Sequence, residues 1–153
     1  MEWAEVLDNP MLKDLPFKIE LNKFGKLLMS PASNQHGRIQ SRIAAALLTN
    51  LPKGEVITEC SIQTSDGVKV ADVAWLSEEF IQTFDFVTPY PKAPELCVEI
   101  VSPSNSKVEI QSKVDLYLAK GAHEVWVVYG LNKMQMFNHM GLMEKSQLAT
   151  LEL

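Results

Sequence analysis

Cysteine is scarce in this chain. Cys60 and Cys97 are the two present, and they form no Cys-x-x-Cys pair. Two sulfurs are too few for a thiolate metal centre. Both sit in apolar, strand-like stretches, as small buried hydrophobes of a reducing compartment do. Long hydrophobic runs are missing too, since none approaches the roughly 20 residues needed to cross a bilayer. The start, Met1-Glu2-Trp3-Ala4-Glu5, is acidic and lacks the basic-then-apolar layout of a signal peptide. These absences predict a soluble, cytoplasmic protein without membrane attachment.

Basic residues are not in excess: 14 Lys and Arg stand against 19 Asp and Glu, for a net charge of −5. That weighs against a protein living on non-specific phosphate attraction, which needs clustered Lys and Arg. It leaves room for a nucleic-acid enzyme, because a carboxylate-rich metal site lowers net charge by itself. Lys23 and Lys26 at one turn, and Arg38 and Arg42 on one helix face, are candidates for a local basic surface; each taken singly also reads as solvated charge. Internal repeats, low-complexity tracts and interdomain linkers are absent as well. A chain of 153 residues holds one proper core and is short for two. Residues 1–153 are therefore expected to be a single domain, with 1–14 as lead-in and 139–153 as a C-terminal edge.

What is present reads as an α/β pattern. After a lead-in closed by Leu15-Pro16, Phe17–Leu21 alternates as a half-buried strand, and Lys26–Met29 returns across Asn22-Lys23-Phe24-Gly25. Ser33 or Asn34 caps a helix whose buried face is marked by Gln35, Ile39, Ile43 and Leu47; it stops near Asn50, before Pro52 and Gly54. Strands follow at about 55–63 and 68–76. Residues 77–94 form a polar, aromatic and proline-rich connection with one helical turn at 78–82. A strand at 96–101 leads to a helix opened by the capping-box pair Ser106 and Glu109 and stopped by Gly121. Val125–Tyr129 and Lys133–Asn138 form a closing hairpin, and the last residues add an edge strand. The order ββ-α-ββ-β-α-ββ predicts a central mixed sheet flanked by helices.

Two charges interrupt the apolar strands: Asp72 in Val70-Ala71-Asp72-Val73-Ala74, and Glu99 in Leu96-Cys97-Val98-Glu99-Ile100-Val101. A charge in a buried strand is costly unless it is paired or binds a cation. If both point to one side of the sheet, they can chelate one Mg²⁺ or Mn²⁺, the hard ions that prefer oxygen. The alternative is that each lies on the exposed face of an edge strand. Val101 occupies the strand position after Glu99 where a lysine would be well aimed. Lys69, three residues from Asp72, is placed on the opposite face by alternation. Lys113 lies along the inner edge of the helix after the Glu99 strand, where it either leans over the carboxylates or snorkels to water. His36 either faces the site, contacting phosphate or shuttling a proton, or is a packed or capping residue. Tyr117 reads as a core aromatic with its hydroxyl near the site, and Glu20 as an exposed strand residue or an outer member of the acidic cluster.

Four ordered blocks carry a resemblance: 29–37 (Met29-Ser30-Pro31 to Gln35-His36-Gly37), 68–73 with Ala71-Asp72, 94–104 with Glu99, and Lys113 through Tyr117 and Gly121 to Trp126. Together they resemble the Uma-two family of restriction endonucleases, within the PD-(D/E)XK nuclease superfamily, over residues 15–130. The resemblance implies a restriction-endonuclease-like fold and Mg²⁺- or Mn²⁺-dependent hydrolysis of phosphodiester bonds, most simply in DNA. It maps the metal-holding acids onto Asp72 and Glu99 and the family lysine onto Lys113. Gln35 stands where relatives carry a glutamate and is expected to assist. His36, Arg38 and Tyr117 are the candidate substrate contacts. A homodimer is expected, because cutting both strands of a duplex calls for two sites. The competing expectation is a catalytically weakened relative that keeps the fold to bind nucleic acid or protein.

Overall fold

The computed structural model describes residues 1–15 and 17–149. Pro16 of the expected lead-in closure and residues 150–153 of the expected C-terminal edge lie outside the described residues. In chain order the elements are α1 (Trp3–Asp8), a 3₁₀ turn (Pro10–Leu12), β1 (Phe17–Leu21), β2 (Leu27–Pro31), α2 (Asn34–Asn50), β3 (Glu55–Thr64), β4 (Gly67–Leu76), α3 (Glu78–Phe84), β5 (Leu96–Ile100), α4 (Lys107–Ala119), β6 (Glu124–Gly130), β7 (Lys133–Asn138) and β8 (Gly141–Met143). The mixed α/β architecture agrees with the sequence pattern. The turn expected at 78–82 is extended to Phe84.

Six strands form the central sheet in the order β3-β4-β5-β6-β7-β8. β5 and β6 are parallel and joined through α4, as a parallel pair requires a crossover; the other neighbours are antiparallel. Helices cover both faces. Ile39, Ile43 and Leu47 of α2 pack on Val73, Val98, Leu96 and Trp126. Val114 and Tyr117 of α4 pack on the other face, with Ala74, Cys97, Val125 and Val127. Alternating residues of β5 thus feed two cores, and burying the strand on both faces explains its unbroken apolar character.

β1 and β2 form a sheet of their own. The reason is that β4 outruns β5: ten residues against five, with pairing confined to Val73–Val98, Ala74–Cys97 and Trp75–Leu96. The first half of β4 therefore keeps a free edge, and β1 lies against it. The contact is made by a side chain, the Glu20 carboxylate accepting the Val70 N–H at 2.7 Å. Leu21 and Val68 seal the same junction in a small core with Val6. Gly67 is needed there: its φ is +77°, and a Cβ would collide with the Leu21 carbonyl oxygen.

Candidate active site

The site forms where β4 and β5 part. One step beyond their last pair, Val73–Val98, Asp72 stands opposite Glu99. The Asp72 carboxylate takes over from the interrupted ladder, its Oδ2 accepting the Ile100 N–H at 2.7 Å. On the other side of β4, pairing with β3 skips Glu59 and Asp72, and Glu59 adopts a left-handed φ of 56°. Gln40 of α2 bridges this gap, donating to Glu59 Oε1 and to the Asp72 carbonyl, both at 2.8 Å. Side-chain alternation slips by one at this point, because Ala71 and Ala74 face the same core. Simple parity from Asp72 is therefore not what keeps Lys69 out of the site. Its ammonium is 3.2 Å from Asp66.

A cleft of about 350 Å³ opens here, lined by Lys18, His36, Glu59, Asp72, Glu99 and Lys113 among others. Asp72 and Glu99 are 1% and 2% exposed. Lys18, from β1, sets its Nζ between them, 3.1 Å from Asp72 Oδ1 and 3.2 Å from Glu99 Oε2. Lys113, from α4, is 2.8 Å from Glu20 Oε2 and 3.5 Å from Glu99 Oε2. Tyr117, one turn further along α4, donates its hydroxyl to Glu99 Oε1 at 2.7 Å. Spacing i,i+4 on one helix thus brings a cation and a hydroxyl to the same carboxylate. His36 Nε2 lies 3.4 Å from Asp72 Oδ1.

Proton affinities follow from this packing. For Asp72, burial works against ionisation, but His36, Lys18 and the Ile100 amide prevail and hold it well below the carboxylate range. Glu20 is also held down, burial being outweighed by Lys18 and Lys113. Glu99 is pushed up, first by burial and then by Asp72 and Glu20, against the pull of Lys113 and Lys18. Burial alone would lower Lys18, but Glu99, Asp72 and Glu20 keep it raised and charged. His36 is raised chiefly by its hydrogen bond to Asp72.

The structure therefore brings Asp72, Glu99, Lys113 and His36 together at one cleft and sets Tyr117 beneath it. Tyr117 is wholly buried, with its hydroxyl engaged by Glu99. Glu20 is buried and belongs to the cluster. Gln35 and Arg38 are both exposed, and neither lines the cleft. The reason is angular. Residues four apart on a helix drift by about 40° per step, so Gln35 lies about 120° from Leu47, whereas His36 lies only about 20° from both Leu47 and Ile43. His36 and Gln40 are the residues that follow the buried stripe to the sheet end.

Lys18, Gln40 and Glu59 were not foreseen. Lys18 carried a signal, because Lys18 and Glu20 alternate with Phe17, Ile19 and Leu21 and so share a face. The helical angle could have found Gln40. Glu59 carried no signal, since its backbone conformation comes from the interrupted pairing. Among the described residues, His36, Glu59 and Asp72 also offer ligand atoms within 4.8 Å of one another. The two carboxylates suit Mg²⁺ or Mn²⁺, and the imidazole suits a first-row transition metal.

The family model described as "Uma2: Putative restriction endonuclease" matches residues 3–136. Among solved structures, "a putative nuclease belonging to DUF820" from Anabaena variabilis ATCC 29413 superposes with a TM-score of 0.72 at 19% identity. The match covers 100% of this chain and 94% of that one. At that identity the likeness establishes the fold. No curated protein matches this chain.

Proposed function

Because this chain belongs to the Uma2 family of restriction-endonuclease-like proteins, we propose that it is a Mg²⁺- or Mn²⁺-dependent endonuclease that hydrolyses phosphodiester bonds in DNA. The observation that carries this reading is the convergence of the buried Asp72 and Glu99 carboxylates at the floor of an open cleft. Asp72 and Glu99 would hold the metal, and Glu59 lies near enough to Asp72 to add a further carboxylate oxygen. A bound divalent ion supplies Lewis-acid stabilisation of phosphoryl charge and eases deprotonation of water.

The chain's own residues do the rest. Lys113, anchored by Glu20, orients the attacking water beside Glu99 and offsets the charge of the phosphate. His36, kept in its protonated form more readily by Asp72, donates to a phosphate oxygen. Tyr117 fixes the orientation of Glu99 from below. The protein works in the cytoplasm as a homodimer, with the exposed Phe86 and Val87 of the 77–94 connection as interface residues.

Incubation with supercoiled, linear and single-stranded DNA and with RNA, with and without Mg²⁺ or Mn²⁺, tests the proposal. Metal-dependent cleavage of DNA that Asp72→Ala abolishes is expected. Failure to cut any form, or cleavage that survives Asp72→Ala, overturns it. One observation favours the binding-only reading: the Lys18 ammonium already sits between the two carboxylates. Calorimetric titration showing no Mg²⁺ or Mn²⁺ uptake at millimolar concentration would support that reading.

A further inference from the structure

Lys18 occupies the place between Asp72 and Glu99 where a divalent ion would be shared. Its Nζ donates to both carboxylates, and among the described residues it makes no other hydrogen bond. Lys113 is held differently, close to Glu20 at 2.8 Å and further from Glu99 at 3.5 Å. Geometry separates their roles: a divalent ion shared by Asp72 and Glu99 would need the carboxylate oxygens that Lys18 already occupies, and two cations at that spacing repel one another.

The exchange has a route. Lys18 stands on β1, outside the six-stranded sheet, and its side chain is 12% exposed at the cleft wall. A flexible four-carbon stem lets an ammonium swing from the floor to the mouth of such a cleft without moving the backbone. Without any cation there, two nearly inaccessible carboxylates would repel one another at the parting of β4 and β5.

We propose that Lys18 is an exchangeable internal counter-ion, which holds Asp72 and Glu99 together in the metal-free protein and swings out when a divalent cation enters. This rests on the metal-dependent reading above and adds that the metal is taken up in competition with the protein's own lysine. The ammonium keeps the site assembled, and it weakens the apparent metal affinity because part of the binding energy goes into displacing it.

The test compares the wild-type protein with Lys18→Met and Lys18→Gln. Calorimetric titration with Mn²⁺ and Mg²⁺ is expected to show binding tightened at least about tenfold in the variants. Their melting temperatures should fall without metal and recover with it. A measurement on the wild type needs no variant: acylation of Lys18 by an amine reagent, followed by mass spectrometry, should accelerate when Mn²⁺ is added. It decides the question should both variants fail to fold. Equal or weaker metal affinity in the variants, or acylation of Lys18 that Mn²⁺ leaves unchanged, overturns the exchange while leaving the metal site intact. No metal binding by wild type or variants overturns both readings.

Discussion

Replacing Tyr117 by phenylalanine isolates one hydrogen bond of the site. The ring is wholly buried, so phenylalanine keeps its packing and only the hydroxyl is lost. That hydroxyl donates to Glu99 Oε1 at 2.7 Å. Burial, followed by the nearby Glu99, pushes the phenol well above its ordinary range, so it remains a donor throughout the working range. A hydrogen bond to a charged group contributes about 1.5–3 kcal/mol, and one between neutral groups about 1 kcal/mol. Glu99 is itself raised by burial, so its ionised fraction grows as pH rises through that elevated value. Losing the donor raises it further, and the variant's native state then binds more protons than the wild type's. Its stability relative to wild type must therefore fall as pH increases. We expect a loss of about 1 kcal/mol where Glu99 is protonated and about 1.5–3 kcal/mol where it is ionised, so the loss is larger at pH 9 than at pH 5. For a chain of this size that upper range is a drop of roughly 3–12 °C in Tm. Urea unfolding followed by tryptophan fluorescence at both pH values measures it. A loss below about 0.5 kcal/mol at pH 9, or a penalty that grows as pH falls, would refute the reasoning.

Two further predictions concern other polar groups. Glu124 accepts from Trp126 Nε1, Ser146 Oγ and the Gln147 and Leu148 amides, and so ties the segment after β8 to the sheet. Glu124→Gln points an amide NH₂ at some of these donors, and hydrogen exchange at Gln147 and Leu148 should quicken at least about tenfold; unchanged protection would contradict the tie. His36 is raised by Asp72, so its contribution to stability is complete below its unfolded value of about 6.5 and disappears as pH rises through the higher folded value. His36→Gln should therefore flatten the fall in Tm between about pH 6.5 and that higher value, and parallel Tm profiles for variant and wild type would exclude the contact.

Much of the scaffold was legible in the sequence because its causes are local. β7 spans Lys133–Asn138 as the pattern predicts, and Ser33 and Ser106 cap α2 and α4 by accepting the His36 and Glu109 amides. The expectation of a mixed sheet was met, but the separation of the β1–β2 hairpin was not foreseen, because it depends on β4 outrunning β5. At the site, placing Gln35 by a spacing of four let the helical drift accumulate, and His36 holds the position near the carboxylates instead. Lys69 was set aside by an alternation that the interrupted ladder at Glu59 does not obey.

By itself the sequence determined that Asp72 and Glu99 need a partner, because a charge inside an apolar strand carries its desolvation cost wherever the strand goes. It also determined that Lys113 and Tyr117 share a helix face, which follows from 3.6 residues per turn. Only the tertiary structure decided which cation meets the two acids. That depends on where β5 stops pairing with β4 and on how β1, 54 residues before Asp72, lies along the edge left free. Helical and strand periodicities are local properties of the chain, whereas register and strand ending are settled by long-range packing, and it is packing that put Lys18 between Asp72 and Glu99.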